Sequence, residues 1–302
     1  MSLQEFPKQS KQKPPIQKNK FPMFVLKEFL RSLSRSAIMG IVNATGDSFS
    51  ENEASSPASA VSRGCALAAA GADILDIGGE STRPGAENIS VQEEIDRVIP
   101  VLDTLKQELP EMIFSIDTRN AETAGIALEH GAHIINDVSM LRTSGDLAKQ
   151  VARGQGSLII SHSRADSVLM QHAEYCSYPD GVAATVAAEL ASARAEAISD
   201  GLSDGQIILD PGIGFSKTAE QCWELLRDLE MLGKLPELML GISRKSFLAA
   251  ASGNTHPTER SGETLAVELE FISRRIGIIR THAVRELHSA VKALDYFRSM
   301  EK

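Results

Sequence analysis

The chain has 302 residues, 42% apolar and 24% charged, with a net charge of -9. This is the balance of an ordinary soluble globular protein with enough length to bury a large core, and the negative sign argues against a nucleic-acid partner, since phosphate binding usually needs a basic face. Three widely spaced cysteines, Cys65, Cys176 and Cys222, form neither a metal-ligand pair nor a disulfide framework and point to a reducing cytoplasm, and no window approaches the roughly 18 apolar residues that span a membrane.

Residues 1–20, rich in Lys, Gln and Pro, read as a disordered tail. Residues 21–30 are apolar but short, and read as a strand or lid closing the bottom of one domain that runs over 21–302. A strand over 37–43 leads to a polar loop at 45–57 and an Ala-rich helix to about residue 70, stopped by Gly71. A strand at 73–77 and a loop at 78–89 precede a helix over 91–108, in which Ile95, Val98, Ile99, Leu102 and Leu105 recur at helical spacing. Then come a strand at 112–116, a helix at 121–130, a short strand at 134–135, a helix near 146–153 and a strand at 157–161. Residues 162–181 have no clear period. A helix at 182–199, a strand at 206–209, a helix at 219–232 and a strand at 237–241 follow. A long loop at 243–262, a helix at 263–275, a strand at 277–279 and a final helix to about residue 297 complete the chain. Alternating units imply parallel strands with right-handed crossovers. Eight such units suit a closed (β/α)8 TIM barrel of about 250 residues. An open doubly wound sheet is the alternative, but its Gly-rich G-x-G-x-x-G turn is missing.

The apolar runs end alike, in polar residues beside Gly or Ser: IMGIVNATGDSFS from residue 38, ILDIGGESTRPG from 74, IFSIDTRN from 113, HIINDVS from 133, IILDPGIGFSKT from 207, LMLGISRKS from 238 and GIIRTH from 277. Asn43, Asp76, Asp117, Asn136, Asp210, Lys245, Arg280 and His282 thus sit in or just after strands, on the rim where barrel active sites are built. Any one of them alone is adequately explained as a loop cap or Asx-turn. Asp and Asn suit a ligand with several fixed N–H and carbonyl groups. Arg280 and His282, two apart on one strand, share a face and suit an anion, or form a structural salt bridge. Lys245 beside Arg244 suits stacking on a flat ligand, or is a solvated basic loop. The histidines lack the spacing of a metal cluster, and nothing resembles a nucleophilic triad.

With these motifs in this order the chain resembles the dihydropteroate synthases of the folate pathway, from residue 38 to about 294; DIGGESTRPGA, SIDT, HIIND, LDPGIGFSKT and GISRKS carry the resemblance. It implies a transferase that joins a pterin-methyl pyrophosphate to p-aminobenzoate, releases pyrophosphate and uses Mg²⁺. By the same resemblance Asp117, Asn136, Asp210 and Lys245 hold the pterin and Phe215 walls its pocket. Asn43 lies near Mg²⁺, and Asn43, Thr82, Arg83, Arg280 and His282 bind pyrophosphate. Phe49, Pro84, Lys245 and Ser246 form the p-aminobenzoate pocket. Asp47, Arg83, Lys245, Arg280 and His282 take part in catalysis, by a dissociative route in which a pterin-stabilised cation is attacked by the aromatic amine. A cytoplasmic homodimer is expected.

The departures cluster. The family's first loop typically reads T-P-D-S-F-S-D-G-G, where this chain has Thr45, Gly46, Asp47, Ser48, Phe49, Ser50, Glu51, Asn52 and Glu53. H-M-R-G-x-P becomes His162 to Ser167, and R-V-H-D-V becomes Arg280, Thr281, His282, Ala283, Val284. Two other functions therefore stay open: a pterin-binding paralogue without turnover, and a different enzyme on the same barrel, such as a corrinoid methyltransferase module, which has no need of Arg280, His282 or the S-R-K loop.

Overall fold

The computed structural model describes residues 22–44, 56–80, 89–166 and 168–300. The tail expected at 1–20 and the expectations placed on Asp47, Phe49, Thr82, Arg83 and Pro84 lie outside these residues. In chain order the elements are α1 (Leu26–Ser32), β1 (Ala37–Asn43), α2 (Pro57–Ala69), β2 (Ile74–Gly78), α3 (Val91–Glu108), β3 (Ile113–Asp117), α4 (Ala121–Glu129) and β4 (Ile134–Asp137). Then follow α5 (Leu147–Gly154), β5 (Ser157–Ser161), α6 (Val182–Ser199), β6 (Ile207–Asp210), α7 (Ala219–Arg227), β7 (Met239–Leu240), α8 (Ala249–Ser252), α9 (Ser261–Ser273), β8 (Ile278–Thr281) and α10 (Val284–Ser299). Caps mark the helix starts. Ser56 and Ser90 accept the N–H of Ser59 and Glu93, and Thr218 and Gln221 form a reciprocal capping box.

All strand pairs are parallel, in the order β6-β5-β4-β3-β2-β1-β8-β7. Among the described residues a single bridge, Leu209 to Leu238, brings the two ends of the sheet together, so the barrel is nearly closed. Alternation on each strand sorts side chains into two cores. Leu75, Ile77, Ile116, Ile135 and Ile160 face the helices. Met39, Ile74, Ile134, Ile159, Ile208, Met239 and Ile278 fill the barrel interior.

Where a strand or lid was expected at 21–30, the described residues form no strand: Leu26–Ser32 is the helix α1. Leu26 and Leu30, spaced i and i+4, sit on one helical face and plug the interior core from below. The plug is pinned: Lys27, buried, pairs with Glu237 at 2.6 Å and Asp204 at 3.0 Å. Ser157 Oγ accepts from the Leu26 N–H and donates to the Phe24 carbonyl.

Several strands run further toward the rim than expected. β3 ends at Asp117, β4 at Asp137, β6 at Asp210 and β8 at Thr281. The apolar pattern stops at the first polar residue, whereas the backbone ladder is indifferent to side-chain polarity and carries on. β7 is shorter than expected because Leu235–Glu237, with Pro236, folds into a 3₁₀ turn. The helix expected at 219–232 ends at Arg227 and continues as a 3₁₀ turn at Leu229–Leu232.

Candidate active site

Above the apolar interior layer, the next inward position of most strands is polar. Arg280 on β8 donates from Nε to Asp76 Oδ2 on β2 (2.6 Å) and from a terminal nitrogen to Asp117 Oδ2 on β3 (2.7 Å). Asn136 on β4 donates to the same Asp76 oxygen at 3.1 Å. At the end of β6, Asp210 accepts from Ser161 Oγ (3.0 Å) and the Gly212 N–H (2.9 Å). After β7, Lys245 lies over the Phe215 ring, 4.2 Å from its centre, and donates to the Ile213 carbonyl at 2.5 Å. The structure thus gathers Asp117, Asn136, Asp210, Lys245, Arg280 and Phe215 into one pit.

Charge in the pit is out of balance. Three carboxylates (Asp76, Asp117 and Asp210) face two cations. Burial, opposed by Arg280 and reinforced by Asp76, pushes the Asp117 carboxyl up to about 7. Burial draws the Lys245 ammonium down to about 8, with Asp210 opposing. Burial alone would lower Arg280, but Asp76 and Asp117 outweigh it and its pKa is raised. Three buried side-chain atoms, Asp76 Oδ1, Asn136 Oδ1 and Ser115 Oγ, have no hydrogen-bond partner among the described residues. Buried polar atoms in this state are uncommon and costly, and each of these can accept from a ligand N–H.

The Gly212–Phe215 turn carries much of the site. Gly212 has φ +62°, and a Cβ there would lie 1.9 Å from the His162 carbonyl oxygen, so no side chain fits. Lys217, 2% exposed, donates to the Gly212 and Phe215 carbonyls at 3.1 and 3.0 Å. Its third contact is His162 Nδ1 at 2.8 Å. His162 Nε2 meets Glu189 at 2.9 Å, and Arg164 pairs with the same carboxylate at 2.6 Å. Burial, helped by the neighbouring Lys217, lowers His162 to about 4, which keeps the ring neutral and able to accept from the ammonium.

The remaining sites lie nearer the rim. Asn43 is exposed at the end of β1. Ser246 is exposed at the start of the Ser246–Leu248 turn. His282, half-buried just past β8, has Nδ1 3.1 Å from Ser243 Oγ. A cavity of about 290 Å³ opens beside the pit, lined by Asp117, Val138, Arg142, Arg164, Met170 and Phe215 among others. Among the described residues there is no cluster of three or more His, Cys, Asp or Glu able to hold a metal. Asn43 offers one hard oxygen, which fits an ion that takes its other ligands from phosphate and water, as Mg²⁺ does. The sequence puts Asp76 on the rim with no specific role, and gives none to Ser115, Ser161 or Lys217. Strand parity with Asp117 and Asp210 was the available signal for the first three.

The family model described as pterin binding enzyme matches residues 39–282. A dihydropteroate synthase of Synechocystis sp. is 39% identical over 263 residues, covering 86% of this chain and 90% of that protein. The solved dihydropteroate synthase of Xanthomonas albilineans with 4-aminobenzoic acid superimposes with a TM-score of 0.80 at 34% identity, covering 88% of this chain and 94% of that one. The Xanthomonas albilineans enzyme in complex with 7,8-dihydropteroate gives a TM-score of 0.77 at 31% identity, covering 88% and 95%.

Proposed function

This chain belongs to the pterin binding enzyme family and is a transferase of the dihydropteroate synthase type, and we propose that its pit holds the pterin ring of a pterin-methyl pyrophosphate. The observation that carries the reading is the set of buried, unpartnered acceptors beside Asp117 and Asn136. A flat ring edged with N–H groups supplies the donors they lack. Asp117, Asn136 and Asp210 read that edge. Lys245 and Phe215, already stacked 4.2 Å apart, grip the ring.

Arg280 and His282 face the pyrophosphate, with Asn43 and the loop residues Thr82 and Arg83. Where Mg²⁺ is bound, Asn43 would help hold it, and the ion would neutralise charge on the pyrophosphate oxygens. The bond from the pterin methylene carbon to the pyrophosphate oxygen breaks, and its electron pair leaves with the pyrophosphate. The amine nitrogen of p-aminobenzoate then forms the new bond to that carbon and gives up a proton. Phe49, Pro84, Lys245 and Ser246 hold the p-aminobenzoate, and Asp47 and Arg83 complete the catalytic set. The protein supplies positioning and charge stabilisation and needs no covalent intermediate. The homodimer and the cytoplasmic location belong to the same proposal. No helix among the described residues is long and apolar enough to cross a membrane.

The deciding experiment is pyrophosphate release from the pterin pyrophosphate and p-aminobenzoate with Mg²⁺ present. Turnover with formation of dihydropteroate is expected. Tight pterin binding with no pyrophosphate release would replace this reading with that of a binding protein.

A further inference from the structure

The foot of the barrel carries a second pocket, at the end away from the pit. It is open, has a volume of about 320 Å³, and lies where α1, the Leu235–Glu237 turn and the segment between α9 and β8 meet. Five cations line it, Lys27, Arg31, Arg35, Lys234 and Arg275, against one carboxylate, Glu237. The excess is local, because the chain as a whole carries a net charge of -9 and repels anions. It is also remote from the active site. The seven residues of β1 separate Ser36 at the foot from Asn43 at the rim, roughly 23 Å of strand.

Structural ion pairs account for two of the five cations. Lys27 is held by Glu237 and Asp204, and Arg35 by both oxygens of Asp73 at 2.7 Å each. Arg31 and Lys234, both exposed, have no hydrogen-bond or ion-pair partner among the described residues. Arg275 donates to a neutral group, the Ser34 carbonyl, at 2.6 Å. Both ends of that bond are in left-handed backbone, Ser34 at φ +54° and Arg275 at φ +65°, a region that non-glycine residues adopt at a cost and that recurs where chains clamp ligands. The pocket wall holds a further sign. Ser36 is 5% exposed, and its hydroxyl oxygen is buried with no partner among the described residues. A buried hydroxyl without a partner is costly, and this one has a hydrogen to give.

We propose that this pocket binds a small phosphate-bearing anion. Arg31, Lys234 and Arg275 are three cations without a carboxylate among them, and a ligand carboxylate would neutralise only one. A phosphate ester carries about 1.5 to 2 negative charges near pH 7 and three acceptor oxygens. Arginine forks match such oxygens in pairs, and lysine meets them as a point charge. Ser36 then supplies a neutral donor, and Leu30 and Ile276 give the rest of a ligand an apolar side to lie against. The donors come from three distant parts of the chain, so the anion ties the α1 plug to the entries of β7 and β8.

The test uses the full chain, labelled with ¹⁵N and titrated with sodium phosphate and, separately, with ribose 5-phosphate, sodium chloride keeping the ionic strength constant. The Ser36 and Gly277 amides report the foot of the barrel, and the Asn43 and His282 amides the rim. Saturable shifts at Ser36 and Gly277 are expected, with a Kd of about 1 mM or tighter. Arg31→Gln combined with Lys234→Gln should weaken binding at the foot by about three- to thirty-fold and leave the rim shifts and turnover unchanged. Ser36→Ala should weaken it by about two- to ten-fold. A tighter Kd for ribose 5-phosphate than for phosphate identifies a phosphate ester as the occupant, and an equal or weaker one identifies the free anion. The proposal is overturned if Ser36 and Gly277 show no saturation up to about 20 mM of either probe, if chloride alone reproduces their shifts, or if the double variant binds as well as wild type.

Discussion

Arg280 carries one positive charge between two buried carboxylates, at 2.6 Å from Asp76 and 2.7 Å from Asp117. Removing the guanidinium leaves both acids buried without their counter-ion. Breaking a buried pair from one side typically costs about 3–5 kcal/mol. Arg280→Met should therefore lower unfolding stability at pH 7 by that order, and adding Asp76→Asn should restore a good part of it, since one unpaired charge is then gone. Urea denaturation of the two variants decides this; no recovery in the double variant would mean that Arg280 matters for packing and not charge. Asp210 acts differently. It holds Ser161 Oγ and the Gly212 N–H and, in the proposed complex, ligand donors as well. Asp210→Ala should weaken pterin affinity by about 1–3 kcal/mol, roughly five- to 150-fold, measured by calorimetry; unchanged affinity would remove Asp210 from the site. The sequence already marked Asp117, Asn136, Asp210, Lys245 and Arg280, because each ends an apolar run. It did not show that Asp76 and Asp117 share Arg280 while Asp210 holds Ser161 and the Gly212 N–H. That distinction depends on which strands are neighbours across the barrel.

The Gly212–Phe215 turn is legible in its glycines, but what holds it is not, because nothing in the sequence singles out Lys217 until β5 and β6 are side by side. Packed there, it ties both ends of the turn and touches His162. Burial lowers its ammonium from 10.5 to about 7. The folded state thus binds its proton less tightly than the unfolded chain does. Stability from this group is least below about pH 7 and rises as pH climbs from about 7 toward 10.5. Lys217→Met should remove that rise and, by releasing the turn, loosen the Lys245–Ile213 contact. Melting temperatures from pH 6 to 10 test the first point; parallel profiles for wild type and variant would place the titration elsewhere. The helix α1 shows the other kind of illegibility. Residues 21–30 are apolar enough for a strand, and only the i, i+4 pairing of Leu26 with Leu30 inside the barrel selects the helix.

The barrel as a whole has one thin seam. β7 is two residues long, and among the described residues a lone strand bridge, Leu209–Leu238, links β6 to its end of the sheet. The proposed pterin site straddles that seam, with Asp210 at the end of β6, Lys245 after β7, and the Lys245–Ile213 hydrogen bond crossing between them. Local opening of the seam would pull these residues apart, so a ligand bound between them must oppose that opening with its whole binding free energy. A ligand bound on one side alone would leave it unaffected. At a pterin concentration about 100 times Kd, the linkage amounts to about 2.7 kcal/mol, roughly a hundred-fold slowing of any opening that destroys the site. Hydrogen exchange should therefore show the Met239 and Leu240 amides opening faster than those of β2 in the free protein and slowing by about that factor with pterin. The last turn of α10, whose Tyr296 and Phe297 are exposed, should exchange at the same rate with and without ligand. If Met239 and Leu240 are indifferent to pterin while its binding is saturated, the ring does not bridge Asp210 and Lys245, and the site must be redrawn on the β2–β4 side of the pit.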